Sequence, residues 1–163
     1  RYKITPDFTL NGAVSYNRAK FSDYRGAPCY LGQTAAEGCV NRVQDLSGVR
    51  LSRAPRFVAG GGFNYEGDLQ QGLRFGLSGE AKYSSSYRTQ DDGTPWAVQK
   101  DFVKINAGVR MFTDHLELAL LGRNLTNEHT VSITNTKTAG QRGELWGVVD
   151  RPREVALQGT YRF

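Results

Sequence analysis

Hydrophobic side chains in this sequence recur at every second position, over runs too long for an ordinary soluble sheet. In Arg153–Phe163 the odd positions hold Arg153, Val155, Leu157, Gly159, Tyr161 and Phe163. The even ones hold Glu154, Ala156, Gln158, Thr160 and Arg162. Successive side chains of a strand point to opposite faces, so this stretch has one apolar and one polar face. The same alternation runs through Phe8–Tyr16, Phe57–Tyr65, Leu73–Tyr83 with Tyr87, Val103–Met111 and Leu116–Leu120. A helical period fits none of these windows. The pattern predicts an all-β chain of six strands at 7–22, 56–66, 72–88, 101–112, 115–129 and 152–163, with almost no helix.

The connections between these strands alternate in length. They run long (23–55), short (67–71), medium (89–100), very short (113–114) and long (130–151). A soluble sandwich does not require this. A transmembrane antiparallel β-barrel of the bacterial outer membrane does, with short periplasmic turns and longer extracellular loops. Strands crossing the hydrocarbon need ~9–11 residues at ~45° tilt, whereas soluble strands cluster near ~5–6. The longest predicted strand, 72–88, has 17 residues. Tyr16, Tyr65, Tyr83, Tyr87, Tyr161 and Phe163 fall near strand ends, where interfacial aromatic girdles belong. Six strands do not close such a barrel, since the smallest have eight. The chain also opens on Arg1-Tyr2-Lys3-Ile4 with no initiator Met or signal segment. Both features read as part of a larger wall, completed by further strands. A soluble β-rich binding domain is the competing reading.

Composition removes several other classes. No stretch approaches the ~18 consecutive apolar residues of a membrane helix. The 19 glycines have no period of three, which excludes collagen, and aromatics at 11% argue against disorder. The net charge of +5 comes from 21 Lys/Arg and 16 Asp/Glu interspersed from end to end. Without a basic block, a nucleic-acid partner is not expected. Cys29 and Cys39 lie close together in one loop. They read as a local disulfide in an oxidising compartment, the alternative being two free thiols. His115 and His129 stand far from both, so no metal set is expected.

Motifs with possible chemistry are few. Asn124-Leu125-Thr126 is a glycosylation sequon, read as accidental in a bacterial strand. Gly60-Gly61-Gly62 lacks phosphate-loop spacing and sits in a β period, which suggests a close approach or a bend. Asp91-Asp92-Gly93 lacks the rest of a calcium loop and reads as a turn. Asp101, Glu80 and Glu117 form no paired catalytic spacing, and no nucleophile–base set is evident, so neither enzyme activity nor a cofactor is expected. The candidate ligand contacts are loop residues: Trp96 with Tyr87 and Arg88, and Trp146 with Arg142 and Arg151. An Arg beside an aromatic ring can hold a carboxylate, a catecholate or sugar hydroxyls. The alternative is that both tryptophans anchor loops or sit at lipid headgroups.

Four segments carry a family likeness. These are Leu51-Ser-Arg-Ala-Pro-Arg-Phe57, Gly122-Arg-Asn-Leu-Thr-Asn127, Arg151-Pro-Arg-Glu-Val-Ala-Leu-Gln-Gly-Thr-Tyr-Arg-Phe163, and the Cys29 to Cys39 loop. Their order and spacing resemble the C-terminal quarter of TonB-dependent outer-membrane receptors. The first is similar to a strand lead-in after a long loop, the second to the penultimate-strand motif, and the third to the closing strand. The resemblance implies that 1–163 is the last part of a 22-stranded barrel, with the family's plug domain lying elsewhere. It implies as partners outer-membrane lipid and lipopolysaccharide, the remaining strands and plug, the barrel-assembly machinery, and the inner-membrane TonB complex acting through the plug. It implies uptake of an iron–siderophore complex, cobalamin or a saccharide, against a passive porin-like barrel as the alternative. Tyr161 and Phe163 match the aromatics of the family's assembly signal. Its glycine is displaced, with Gln158 in the expected position and Gly159 one later. His129 and Thr130 stand where the family often has an aromatic.

Overall fold

A computed structural model describes residues 1–70 and 72–163. Gln71, part of the turn predicted at 67–71, lies outside the described residues. Strands β1 (Tyr2–Lys3) and β2 (Phe8–Tyr16) form a hairpin. The loop after them carries the short ladder of β3 (Ala27–Pro28) with β4 (Val43–Gln44), and a 3-10 turn at Ala35–Glu37. A long hairpin follows, β5 (Phe57–Gln70) with β6 (Leu73–Ser84). The next loop holds β7 (Tyr87–Arg88) against β8 (Val98–Gln99). Then come β9 (Phe102–Phe112) and β10 (Leu116–Arg123). The last loop holds β11 (Val131–Thr136) with β12 (Leu145–Val149), and β13 (Glu154–Tyr161) closes the chain.

One antiparallel sheet forms the wall, in the order β1-β2-β5-β6-β9-β10-β13. Its register keeps every apolar column on one face. Leu10 lies opposite Phe63, Phe63 opposite Gly79, Gly79 opposite Ala107, and Ala107 opposite Gly122. Leu120 likewise lies between Val109 and Leu157. A slip of one residue would turn a whole column to the other face, so this continuity fixes the pairing. Among the described residues no second layer covers the apolar face: Val14, Leu118, Leu120 and Leu157 are 77%, 50%, 47% and 72% exposed. The sandwich core of the soluble reading is therefore not what this sheet builds.

The strand limits differ from the sequence pattern, and side-chain caps explain several of the differences. β2 ends at Tyr16, not 22, because the Asn17 carboxamide accepts from the Ala19 N–H (3.0 Å) and turns the chain. β10 ends at Arg123, not 129, because Asn124 takes a positive φ of 47°. Pairing with β9 then resumes through Leu125 N–H to the Ile105 carbonyl (2.8 Å). β5 runs on past 66 to Gln70, and β6 stops at Ser84. At eight residues each, β10 and β13 are shorter than expected. Tyr87 sits in the loop body rather than at a wall end, its hydroxyl donating to the Val131 carbonyl at 3.2 Å.

The segments 17–56, 85–101 and 124–153 all leave the same edge of the sheet. The short turns, including Thr113–Leu116 with its 2.8 Å backbone bond, lie at the other. β13 ends at that short-turn edge, where Tyr161 faces Leu116. The buried residues concentrate in the loops: Ala27, Tyr30, Leu46, Thr89, Thr94, Ala97 and Thr130.

Candidate functional site

The polar face of the wall is organised in rows. One runs Asn11, Gly62, Glu80 and Asn106 across four strands, and it floors a hollow of about 510 Å³ that Asn64, Ser78 and Arg123 also line. Nearer the short turns the rows become charged. Glu66 takes Arg74 (3.2 Å) and Arg110, Arg74 also reaches Asp68 (3.2 Å), and Arg162 reaches Glu117 (3.6 Å). Arg110 crosses β6 to reach Glu66 because the residue beneath it is Gly76. A Cβ there would stand 2.6 Å from the Arg110 Nε. The Phe112 ring lies under both guanidinium groups, 5.2 Å from Arg74 and 4.8 Å from Arg110. Such a face suits water and polar solutes, and its opposite signs balance locally.

The three loops are knitted together above this face. Cys29 and Cys39 form a disulfide with a Cα–Cα distance of 5.7 Å, closing the loop that carries Thr34 and Glu37. The Glu37 carboxylate accepts from the Thr34 N–H (2.9 Å) and hydroxyl (3.0 Å), and it pairs with Arg142 of the last loop. The Thr34 N–H first, and then the Arg142 guanidinium, hold the Glu37 carboxyl down at about 2. Arg142 in turn lies 5.4 Å above the Trp96 ring, and Tyr30 meets the same ring edge-on at 5.5 Å. Thus Glu37, Arg142, Trp96 and Tyr30 join all three loops in one clasp. Gly32 abuts Arg142, and a Cβ there would lie 2.9 Å from its Cβ.

A second anchor ties the last loop to the wall. Lys104, on the polar face of β9, donates to Asp150 (2.9 Å) and Thr130 (2.6 Å). Thr130 and Ser132 donate to the same carboxylate at 2.5 and 2.8 Å. The Thr130 hydroxyl, with Lys104 and Ser132, outweighs burial and holds the Asp150 carboxyl at about 2. Asn124, 5% exposed, fastens the base of the loop. Its amide donates to the Glu128 and Arg151 carbonyls (3.0 and 3.1 Å), and its carbonyl accepts from the Glu128 N–H (3.0 Å). The Gly122–Asn127 segment therefore acts as a turn clamp around the buried Asn124, with Leu125 folded over Gly122.

The loop residues singled out from sequence are distributed differently from their pairing there. Arg142 stacks on Trp96, not on Trp146. Trp146 lies 54% exposed opposite Asn135 in the β11–β12 ladder. Arg88 donates to the Thr94 carbonyl at 3.4 Å, and the Arg151 guanidinium lies 4.0 Å from Glu154. Tyr161 and Phe163 meet edge-on at 5.1 Å at the short-turn edge. Sequence reasoning missed Tyr30, Glu37, Lys104, Thr130 and Asp150. Thr34-Ala-Ala-Glu37 is a capping-box signature that could have drawn attention to Glu37. Nothing local marks Lys104 and Asp150, which are 46 residues apart. A cleft of about 310 Å³ between the loops is lined by Tyr24, Leu46, Gln90, Asp91 and Ile133.

No family model and no curated protein matches the chain. Two solved structures do share its fold. The siderophore receptor PiuA from Acinetobacter baumannii superposes with a TM-score of 0.69 at 16% identity, over 98% of this chain and 20% of that one. The ferric-catecholate import receptor Fiu from K12 E. coli, in its closed form, gives 0.61 at 16%, over 98% and 19%. The chain spans about a fifth of the length of each. The chain therefore shares the fold of the matching fifth of these two structures.

Proposed function

We propose that this chain is the C-terminal wall segment of a TonB-dependent outer-membrane receptor that imports a scarce nutrient, with an iron–siderophore complex as the favoured cargo. One observation carries the reading: a continuous apolar face, uncovered across six strands, backs a polar face, and all three long loops gather at one edge. A sheet of that kind places its apolar side against acyl chains and its polar side against a water-filled interior. Among the described residues β13 pairs on one side only. In hydrocarbon each unpaired backbone group costs several kcal/mol, so further strands must complete the ring. The plug and the contact with the inner-membrane TonB complex belong to the rest of the receptor, and the barrel-assembly machinery would read the terminal Tyr161 and Phe163. The siderophore assignment draws support from what the two structural neighbours are named for. Cobalamin and saccharides are the other cargoes of the resemblance. In this reading the segment binds and lines a passage. It catalyses nothing and holds no cofactor.

The test is uptake of labelled ferric siderophore by cells with and without the full-length gene. Uptake that requires the gene and stops when the inner-membrane proton gradient is collapsed is the expected result. Gene-dependent uptake that survives the collapse would instead identify a passive porin-like barrel.

A further inference from the structure

The cleft of about 310 Å³ between the loops carries two opposite charges that its surroundings leave unpaired. Arg53, from the first loop, and Asp91, from the second, both line it. Neither makes an ion pair among the described residues. Asp91 takes the Ser52 N–H at 3.1 Å on one oxygen. Asp92, the other acid of the cleft, has both oxygens engaged, by the Thr94 N–H (3.0 Å) and the Gln90 amide (2.6 Å). Arg53 itself is held at a φ of 53°, with its N–H bonded to the Arg88 carbonyl at 2.8 Å. A non-glycine residue keeps that left-handed conformation only where its surroundings over-determine it, and such residues gather at ligand clamps.

Gln90 supplies a third polar group. Its amide nitrogen is committed to Asp92 and to Thr136 (3.0 Å), and its Oε1 is buried with no donor among the described residues. A buried acceptor without a donor is costly, and a donor entering beside Asp91 would relieve it. The rest of the surface is apolar: Leu46 is buried, and Tyr24 and Ile133 stand with it. The volume lies at the small end of small-molecule pockets, which run from ~300 to ~1,000 Å³. A lone anion would face Asp91 unpaired, and a lone cation would face Arg53. A small zwitterion with an apolar body satisfies both charges and the apolar wall.

We propose that this cleft binds a free α-amino acid with an apolar side chain. The Arg53 guanidinium takes the α-carboxylate through charge-assisted hydrogen bonds, and the Asp91 carboxylate with the Gln90 Oε1 takes the α-ammonium. The side chain lies against Leu46, Tyr24 and Ile133. Arg53, Asp91 and Ile133 belong to three different loops, so the ligand bridges all three. The site shares no lining residue with the hollow on the polar face of the wall, and it stands whatever cargo the receptor carries.

The full-length receptor in detergent would be dialysed to equilibrium against labelled L-leucine, with N-acetyl-L-leucine, L-leucinamide and L-glutamate as competitors. Leucine is expected to bind saturably. N-acetyl-leucine lacks the ammonium and leucinamide the carboxylate, so each should compete about ten- to a hundredfold more weakly than unlabelled leucine. Arg53→Gln should weaken leucine binding by a similar factor and abolish the preference for leucine over leucinamide. Asp91→Asn keeps an acceptor for the Ser52 N–H, and should abolish the preference over N-acetyl-leucine. The competitor series on the wild type decides the matter even if a variant fails to fold. No saturable binding at millimolar leucine, equal competition by the blocked derivatives, or folded variants that bind leucine as the wild type does, overturns the site. Stronger competition by glutamate than by leucine overturns the apolar assignment. None of these results touches the membrane placement or the cargo, which the uptake assay tests separately.

Discussion

Replacing Leu120 by Arg separates a lipid-facing wall from a water-facing sheet. Leu120 is 47% exposed, set between Val109 and Leu157 on the apolar face. On a protein surface in water, such a substitution changes stability by about 0.5 kcal/mol or less. In a bilayer the cost depends on depth. Leu120 is four residues from Leu116, which lies at the short-turn edge beside Tyr161. At ~3.4 Å per residue and ~40° tilt, Leu120 stands roughly 10 Å above that edge, near the middle of an apolar band ~25 Å tall. An Arg there should cost about 2–4 kcal/mol, and an Arg at Leu116, itself 56% exposed, about 0–1 kcal/mol. Guanidinium unfolding of the full-length receptor in phosphatidylcholine vesicles, followed by tryptophan emission, measures both. Two equal losses near zero would refute the reasoning, because exposure alone would then account for both sites.

Other substitutions test the local claims. A Cβ on Gly62 would stand 2.6 Å from the Gly79 carbonyl oxygen, whereas one on Gly60 would meet nothing closer than 3.7 Å. Gly62→Ala should therefore cost about 1–3 kcal/mol and Gly60→Ala nearly nothing in the same unfolding assay. Asn124→Ala leaves part-buried backbone groups of Glu128 without partners and should cost about 1 kcal/mol, with faster hydrogen exchange at Glu128. Glu37 titrates below its ordinary 4.5, at about 2, so the stabilisation its charge brings to the clasp is complete above pH 4.5 and is lost as pH falls toward 2. Trp96 emission, read in a Trp146→Phe background, should shift across that window, and Glu37→Gln should abolish the shift.

The wall was legible because a sheet with one apolar and one polar face imposes a period of two, and cross-strand register then follows from keeping the apolar face continuous. Strand ends were less legible. The apolar alternation stops at Tyr16, beside the point where Asn17 turns the backbone, and the mixed residues 17–22 carry no period from which the strand end can be read. The same holds at Asn124, whose positive φ breaks β10 inside a run that looks like strand. The loop clasp was least legible. Arg142 and Glu37 are 105 residues apart, and their meeting depends on how three loops fold over one another. Sequence proximity pointed Arg142 toward Trp146, while the fold stacks it on Trp96. Of Gly60-Gly61-Gly62, one residue proves sterically committed, a distinction that needs the neighbouring carbonyl oxygen in place.

Spin labels placed one at a time along Val103–Met111 of the full-length receptor in vesicles, with the Cys29–Cys39 bridge intact, probe the two faces directly. At odd positions from Val103 to Met111, collisions with oxygen dissolved in the acyl chains should dominate. At even positions from Lys104 to Arg110, collisions with a water-soluble nickel chelate should dominate. Odd positions shielded from both reagents, or open to nickel along their whole length, would contradict a wall whose apolar side faces lipid.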